Sequence, residues 1–281
     1  MGILITGSSG FLGSYLYKNI TNENLISYNR SEPESTNWKN ISGVIHCAGL
    51  AHVSHNPVFE KKFKESNIDL TIDLFEQFMN SNARFFIFFS TSKIYDNSFK
   101  DYVTESDVGN NLSIYAKSKL TAEEEISKYQ NSKKIIILRP AVIIGPNPKG
   151  NIATLHKIIE RKMPLILPQK SVKKNFTDIR NITFLIDLII KNPNLLESGI
   201  YNIVDDKSLD IEEVLRSLAK EKKRPLRILL IPNNIFKYFL RLLQTIRPAF
   251  GIKLQSLLFQ NLRISNDKIR SITNLPYNSF E

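Results

Sequence analysis

A chain of 281 residues can bury a large core, and 42% hydrophobic with 23% charged residues is ordinary globular composition. Its longest apolar runs, such as "FFIFF" and "IIIL", fall far short of the ~20 residues needed to span a bilayer, and its single cysteine, Cys47, excludes a disulfide framework and suits a reducing compartment. The net charge of +11 admits nucleic acid, an anionic membrane face or an anionic small substrate. No basic stripe interleaves with aromatics, so no nucleic-acid partner is expected.

Residues 2–6, "GILIT", read as a buried strand and 10–20 as a helix, with Gly7, Gly10 and Gly13 between and within them. A strand, a tight glycine turn and a helix N-terminus make an anion site, because unpaired N–H groups and the positive dipole end converge on one spot. Gly7 permits the turn, Gly10 lets the backbone approach a pyrophosphate, and Gly13 permits close helix–strand packing. So early a turn leaves no room for a signal peptide ahead of it, and a cytoplasmic protein is expected. The second strand, "NLISY" (24–28), ends near Asn29 and Arg30 with no carboxylate. An acidic residue there would bond a ribose 2′-OH, whereas Arg30 suits a 2′-phosphate. The cofactor is therefore NAD or NADP, with Arg30 favouring NADP(H).

"GVIHCAG" (43–49) reads as a third strand and 58–80 as a helix. "RFFIFFS" (84–90) is a buried strand whose end carries Ser90, Thr91 and Ser92. Residues 113–130 form a helix with Tyr115 and Lys119 one turn apart on a single face. A phenol is a poor base at its free pKa near ~10. A neighbouring ammonium would lower that value and let Tyr115 exchange a proton with a substrate oxygen. "KIIILRP" (134–140) is a further strand. Alternating strands and helices with continuously apolar strands imply a parallel sheet covered on both faces.

After Gly145 the pattern loosens. "GPNPKGN" is a loop, 152–162 a helix, and "PLILP" an edge strand or connector. Residues 183–191 read as a helix, "GIYNIV" (199–204) as a strand able to rejoin the sheet, and "SLDIEEVLRSLAKE" as a helix capped by Ser208 or Asp210. Residues 233–262 are helical, apolar and basic. They are expected to pack over a cleft or a dimer interface, with a membrane-surface role as the other reading.

Taken together, "TGSSGFLG" (6–13), "VIHCAG" (44–49), Asn67, "FSTSKIYD" (89–96), "YAKSK" (115–119) and "LRPAVIIGP" (138–146) resemble the extended short-chain dehydrogenase/reductase family, in particular the NAD-dependent epimerase/dehydratase group acting on nucleotide sugars. The resemblance implies an α/β fold: a doubly wound parallel Rossmann sheet with a smaller, mostly helical C-terminal substrate lobe. Residues 1–145 and 176–205 would form the dinucleotide-binding core, and 146–175 and 206–281 the nucleotide-sugar lobe, interleaved as one unit. By the same resemblance Gly7, Gly10, Phe11, Leu12 and Gly13 cradle the pyrophosphate, and Ala48 and Gly49 line the adenosine side. Ser90 and Pro140 to Val142 flank the nicotinamide. Thr91 orients the substrate, Tyr115 is the acid/base and Lys119 its partner. Lys174, Asn151 and Arg263 would meet the sugar nucleotide, although Lys174 replaces the usual Arg and loses bidentate geometry.

The departures are informative. Only about 14 residues separate Arg30 from Val44, so the usual third strand is short or absent. Asp96 stands where a glycine is usual. Ser92 and Lys93 follow Thr91 where dehydratases place carboxylates, so water elimination loses its proton carriers. Two activities remain, both at C4 of a sugar nucleotide, most simply UDP-linked and used for bacterial surface polysaccharide. With Arg30 the reading leans to a 4-keto-6-deoxy-hexosamine reductase, and an NAD-dependent UDP-sugar 4-epimerase is the alternative. A non-enzymatic dinucleotide-binding regulator is the reading from another class, and a homodimer is expected. No metal site is expected from His46, His52 and His55, whose spacing matches no compact ligand set, and Cys47 reads as a packing residue.

Overall fold

The computed structural model describes residues 1–20, 23–51, 59–95, 102–148, 150–161, 164–247 and 263–280. Six parallel strands form the central sheet: β1 (Gly2–Thr6), β2 (Leu25–Ser27), β3 (Ile41–His46), β4 (Phe85–Phe89), β6 (Lys134–Pro140) and β10 (Gly199–Ile203). Their spatial order is β2-β1-β3-β4-β6-β10. The chain moves outward from β1 to β2 and then returns past β1 to β3. That reversal opens a crevice at the carboxyl ends of β1 and β3, where such sheets bind ligands.

Residues 31–40 hold two short 3₁₀ turns, Pro33–Ser35 and Trp38–Asn40, and no strand. The third strand anticipated as short or absent is absent, and β2 forms the sheet edge.

The strands are buried on both faces because helices cover both. Ile3, Ile5, Ile87 and Leu138 pack with Leu16 of α1 (Phe11–Asn19) and with Ile182, Leu185, Ile186 and Ile189 of α6 (Ile179–Lys191). The alternate residues Leu4, Val44, Phe86, Phe88 and Ile137 pack with Leu74, Phe75 and Phe78 of α3 (Leu70–Met79) and with Ala122 and Ile126 of α4 (Ile114–Ser127). Each such side chain contributes roughly 1.5–3 kcal/mol by leaving water. A short α2 (Glu60–Phe63) and a π-helical stretch (Lys64–Asp69) run directly into α3.

A third core lies outside the sheet. It joins α5 (Gly150–Glu160), α7 (Ile211–Glu221) and α8 (Asn233–Ile246) through Leu155, Ile159, Val214, Leu218, Phe236 and Leu240. "PLILP" is β8 (Leu165–Pro168), which pairs in parallel with β11 (Ile228–Ile231), a strand the sequence pattern did not suggest. Two further small parallel pairs join β5 (Tyr102–Val103) to β12 (Arg263–Ile264) and β7 (Val142–Ile144) to β9 (Phe176–Asp178). Helix α6 starts four residues earlier than its apolar period suggested, because Asp178 caps it by accepting from the Arg180 N–H. In α7 the cap is Asp210, in a reciprocal box with Glu213. Of the helical reading over 233–262, α8 covers 233–246, and 248–262 lies outside the described residues.

Candidate active site

The turn after β1 is built for close approach. Gly7 has φ +68°, and a Cβ there would sit 2.8 Å from Cα of Ala48. At Gly13 a Cβ would overlap the carbonyl oxygen of Gly7, so the helix touches the turn backbone. Helix α1 has no side-chain cap and no carboxylate in its first turn, whereas α4, α6 and α7 are capped by Ser113, Asp178 and Asp210. The α1 N-terminus therefore suits an external anion.

Behind the turn lies a buried chain of polar groups. The Ala48 N–H donates to Thr6 Oγ1 at 3.1 Å, and Thr6 Oγ1 meets His46 Nδ1 at 2.7 Å. His46 Nε2 meets Thr71 Oγ1 at 2.8 Å, and the Thr71 hydroxyl donates to the Asn67 carbonyl. Because the Thr71 proton is committed there, His46 must donate from Nε2 and accept at Nδ1. The Asn67 side chain binds both N–H and C=O of Leu50, and its Nδ2 also donates to Ser118 Oγ, which donates to the Tyr115 carbonyl. Asn67 sits in the π-helical stretch, and this chain ties the glycine turn to α4.

Burial, with the nearby Lys119 charge adding to it, pushes the His46 pKa down to about 3. The unfolded chain takes up this proton below about 6.5, the ordinary histidine value, while the fold excludes it. Stability from His46 is thus fully present above pH 6.5 and is lost as pH falls towards 3, by up to about 1.4 kcal/mol per pH unit. Urea midpoints at pH 7.5, 6.5 and 5.5 are expected to hold steady and then drop. His46→Gln should flatten the drop, and an equal drop in that variant would assign the loss to other groups.

Thr91 and Tyr115 meet where the end of β4 faces the start of α4, and Lys119 lies one turn further along α4. The Lys93 N–H donates to Thr91 Oγ1 at 3.2 Å, which leaves the Thr91 hydroxyl for its bond to Tyr115. The phenol is not lowered as its spacing from Lys119 suggested. Burial raises it, and the Thr91 hydrogen bond only partly offsets this. Lys119 is buried, with Nζ 4.1 Å from the centre of the Phe88 ring and close to Gly49. Burial pulls it down to about 8, against the charge of Glu123. Lys93 Nζ lies 5.5 Å from the centre of the Tyr115 ring. Among the described residues, Ser90 Oγ is the one buried side-chain polar atom without a hydrogen-bond partner. A buried hydroxyl without a partner is costly, and a ligand polar group would satisfy it.

The other anticipated residues divide into three groups. Phe11, Leu12 and Ala48 stand half-buried about the crevice and Gly49 is exposed there, Pro140 is buried at the end of β6, and Val142 is exposed on β7. Arg30 is exposed just beyond β2, and its guanidinium reaches the Glu65 carbonyl at 3.5 Å. It also lines a cavity of about 630 Å³ with Tyr28, Trp38, Glu65, Leu70 and Asp73. Lys174 and Arg263 are brought to adjoining positions, since Asn175 Oδ1 accepts from the Ile264 N–H at 2.9 Å. Burial lowers Lys174 to about 8. Asn151 lies in α5, but its side chain, like His52, His55 and Asp96, falls outside what is described. Cys47 is half-buried and its thiol is raised by burial, as befits a packing residue.

Sequence reading missed one feature. Arg139 on β6 and Glu123 on α4 form a buried bidentate ion pair, with Nε–Oε1 at 3.0 Å and Nη2–Oε2 at 2.6 Å. Arg139 also donates to Tyr95 Oη and to the Glu105 carbonyl. The signal was present: Glu123 follows Tyr115 and Lys119 at one further helical turn on the same face.

The model of the NAD dependent epimerase/dehydratase family matches residues 3–204. A UDP-glucose 4-epimerase of Vibrio cholerae is 28% identical over 274 residues, covering 84% of this chain and 80% of its own. The UDP-glucuronic acid 4-epimerase of Bacillus cereus in complex with NAD superimposes with a TM-score of 0.73 at 18% identity, covering 99% of this chain and 93% of that one. The dTDP-4-dehydrorhamnose reductase of Bacillus anthracis in complex with NADP gives a TM-score of 0.75 at 15% identity, covering 99% and 95%. At these identities the two solved structures speak for the fold.

Proposed function

The chain belongs to the NAD dependent epimerase/dehydratase family, and from that premise we propose that it oxidises and reduces C4 of a nucleotide sugar, with a UDP-sugar 4-epimerase as the leading reading. The observation that carries C4 chemistry is the Thr91–Tyr115 hydrogen bond on a helix that also presents buried Lys119. The Vibrio cholerae relative supports epimerisation over reduction.

The glycine turn, the uncapped α1 and the partnerless Ser90 hydroxyl fit a dinucleotide. Gly7, Gly10, Phe11, Leu12 and Gly13 would hold its pyrophosphate, Ala48 and Gly49 its adenosine side, and Ser90 with Pro140 and Val142 its nicotinamide end. When bound, that cofactor supplies reversible hydride transfer. Thr91 would hold the sugar oxygen by hydrogen bonding. Tyr115 would take the hydroxyl proton on oxidation and return it to the carbonyl on reduction. The Thr91 hydrogen bond would favour phenolate against the burial that raises the phenol, with Lys119 as the partner one turn along the helix. Residues 146–175 and 206–281, with Lys174, Asn151 and Arg263, would bind the nucleotide sugar, and bacterial surface polysaccharide would be its use.

Arg30 favours a second reading. A guanidinium at the end of β2 suits a 2′-phosphate, and an external NADPH would mean a 4-keto-6-deoxy-hexosamine reductase. Denaturing the purified protein and weighing any released dinucleotide by mass spectrometry separates the two. Stoichiometric NAD with interconversion of UDP-glucose and UDP-galactose, without added cofactor, is expected of the epimerase. A site that takes NADPH from solution and consumes it with a 4-keto sugar would make it the reductase. Dinucleotide binding with no turnover of either substrate would leave the regulator reading. Arg30→Ala is expected to weaken NADPH about tenfold more than NADH, measured by titration calorimetry, one charge-assisted contact being worth about 1.5–3 kcal/mol. An equal effect on both would remove Arg30 from 2′-phosphate recognition.

A further inference from the structure

Helix α8 carries two apolar faces where a surface helix needs one. Phe236 and Leu240 are buried in the third core, with Leu243 half-buried beside them. Ile235, Tyr238, Phe239, Leu242 and Ile246 form a second stripe at spacings i, i+3, i+4, i+7 and i+11, within an arc of about 100°. All five are exposed, Tyr238 by 74%, Ile246 by 69% and Leu242 by 60%. Of the expectation that these residues pack over a cleft or a dimer interface, Phe236 and Leu240 pack inward, and these five are exposed on the single chain.

Cations lie to one side of this stripe, with Arg241 next to it. Lys237 and Arg241 are exposed one turn apart, and the Arg241 guanidinium lies 5.9 Å from the centre of the Tyr238 ring. Helix α8 has no carboxylate. Across 220–247 there are eight Lys and Arg residues against one acid, Glu221. Within the same segment Leu229 of β11 is exposed beside Ile166, its register partner on β8.

We propose that this face of α8 is an in-plane docking surface for an anionic lipid bilayer. The apolar stripe enters the headgroup–acyl boundary while the flanking cations meet lipid phosphates. The charge argues against a second copy as occupant, since a symmetric contact would bring two strongly cationic segments together. At 14 residues α8 is about 21 Å long and cannot span the membrane, and no described helix is long and apolar enough to do so.

The test is flotation of the full chain with phosphatidylcholine vesicles and with vesicles of phosphatidylcholine and phosphatidylglycerol at a 7:3 ratio, roughly the anionic content that recruits basic surfaces. Binding is expected on the anionic vesicles, weakened about tenfold by 0.5 M salt, where the Debye length falls to about 4 Å. The exposed double variant Leu242→Ser/Ile246→Ser should lose binding, and Lys237→Glu/Arg241→Glu should lose its dependence on phosphatidylglycerol. Both should keep the wild-type thermal midpoint. Absence of flotation overturns the proposal, whether a second copy or residues 248–262 cover the stripe. Flotation that both variants leave unchanged overturns it too. A wild-type dimer that the Leu242→Ser/Ile246→Ser variant converts to monomer would assign the stripe to self-association instead.

Discussion

Tyr115→Phe is expected to lower turnover by roughly 10²–10⁴-fold, the usual worth of a positioned proton carrier, with the fold and dinucleotide affinity nearly unchanged. The substitution deletes one oxygen. Phe63 stays packed beside the ring, at 6.1 Å between centres, and the Ser118 contact to residue 115 uses the backbone carbonyl, not the side chain. Thr91 loses its acceptor, and on the proposed reading its hydroxyl would still be available to the substrate oxygen. The loss should therefore fall on kcat with KM little changed, since the interaction matters most while the proton moves. Steady-state kinetics with the sugar nucleotide, beside a dinucleotide titration of the same variant, checks both parts. Retained turnover would remove Tyr115 from the chemistry.

Glu123→Ala is expected to cost about 3–5 kcal/mol of stability, because it strands the Arg139 guanidinium without its carboxylate. Both side chains are 2% exposed. What remains for Arg139 is Tyr95 Oη at 3.0 Å and the Glu105 carbonyl at 2.9 Å, neither of them charged. The cost is the stranded charge rather than the worth of the pair, so Glu123→Leu with Arg139→Met should recover most of the loss. Chemical denaturation of the two variants measures the difference. The same substitution reaches the site, since Glu123 supports the charge on Lys119. Without it Lys119 should titrate still lower, and the alkaline limb of the pH–rate profile should move to lower pH.

The parallel sheet was legible because its strands are apolar on both faces, a pattern that little else produces. The pairs β5–β12, β7–β9 and β8–β11 were not legible. Each spans two to four residues, and each depends on partners far apart in sequence, as with Tyr102 and Arg263. Tyr115 and Lys119 could be placed on one face by helical period alone. Thr91 was named from its place after the apolar strand, but its hydrogen bond to the phenol needed the fold, because the end of β4 beside α4 brings the two together. The raised Tyr115 pKa escaped the sequence because spacing suggests a neighbouring cation but does not show burial, which here outweighs the Thr91 hydrogen bond. Arg139 gave no sign of its partner from its own strand; the sign lay on α4, where Glu123 continues the face of Tyr115 and Lys119.

The chain of groups from Ala48 through His46 to Ser118 has a direction, and its branches finish on carbonyl oxygens, of Asn67, Leu50 and Tyr115. A carbonyl has no proton to pass on. The chain can brace α4 against the glycine turn, yet it cannot act as a wire that drains or refills the phenol from the protein interior. On the proposed reading, a proton that Tyr115 lifts from a sugar hydroxyl would have no exit by this route. An epimerase, which must restore what it has just removed, would gain from a wall without a drain.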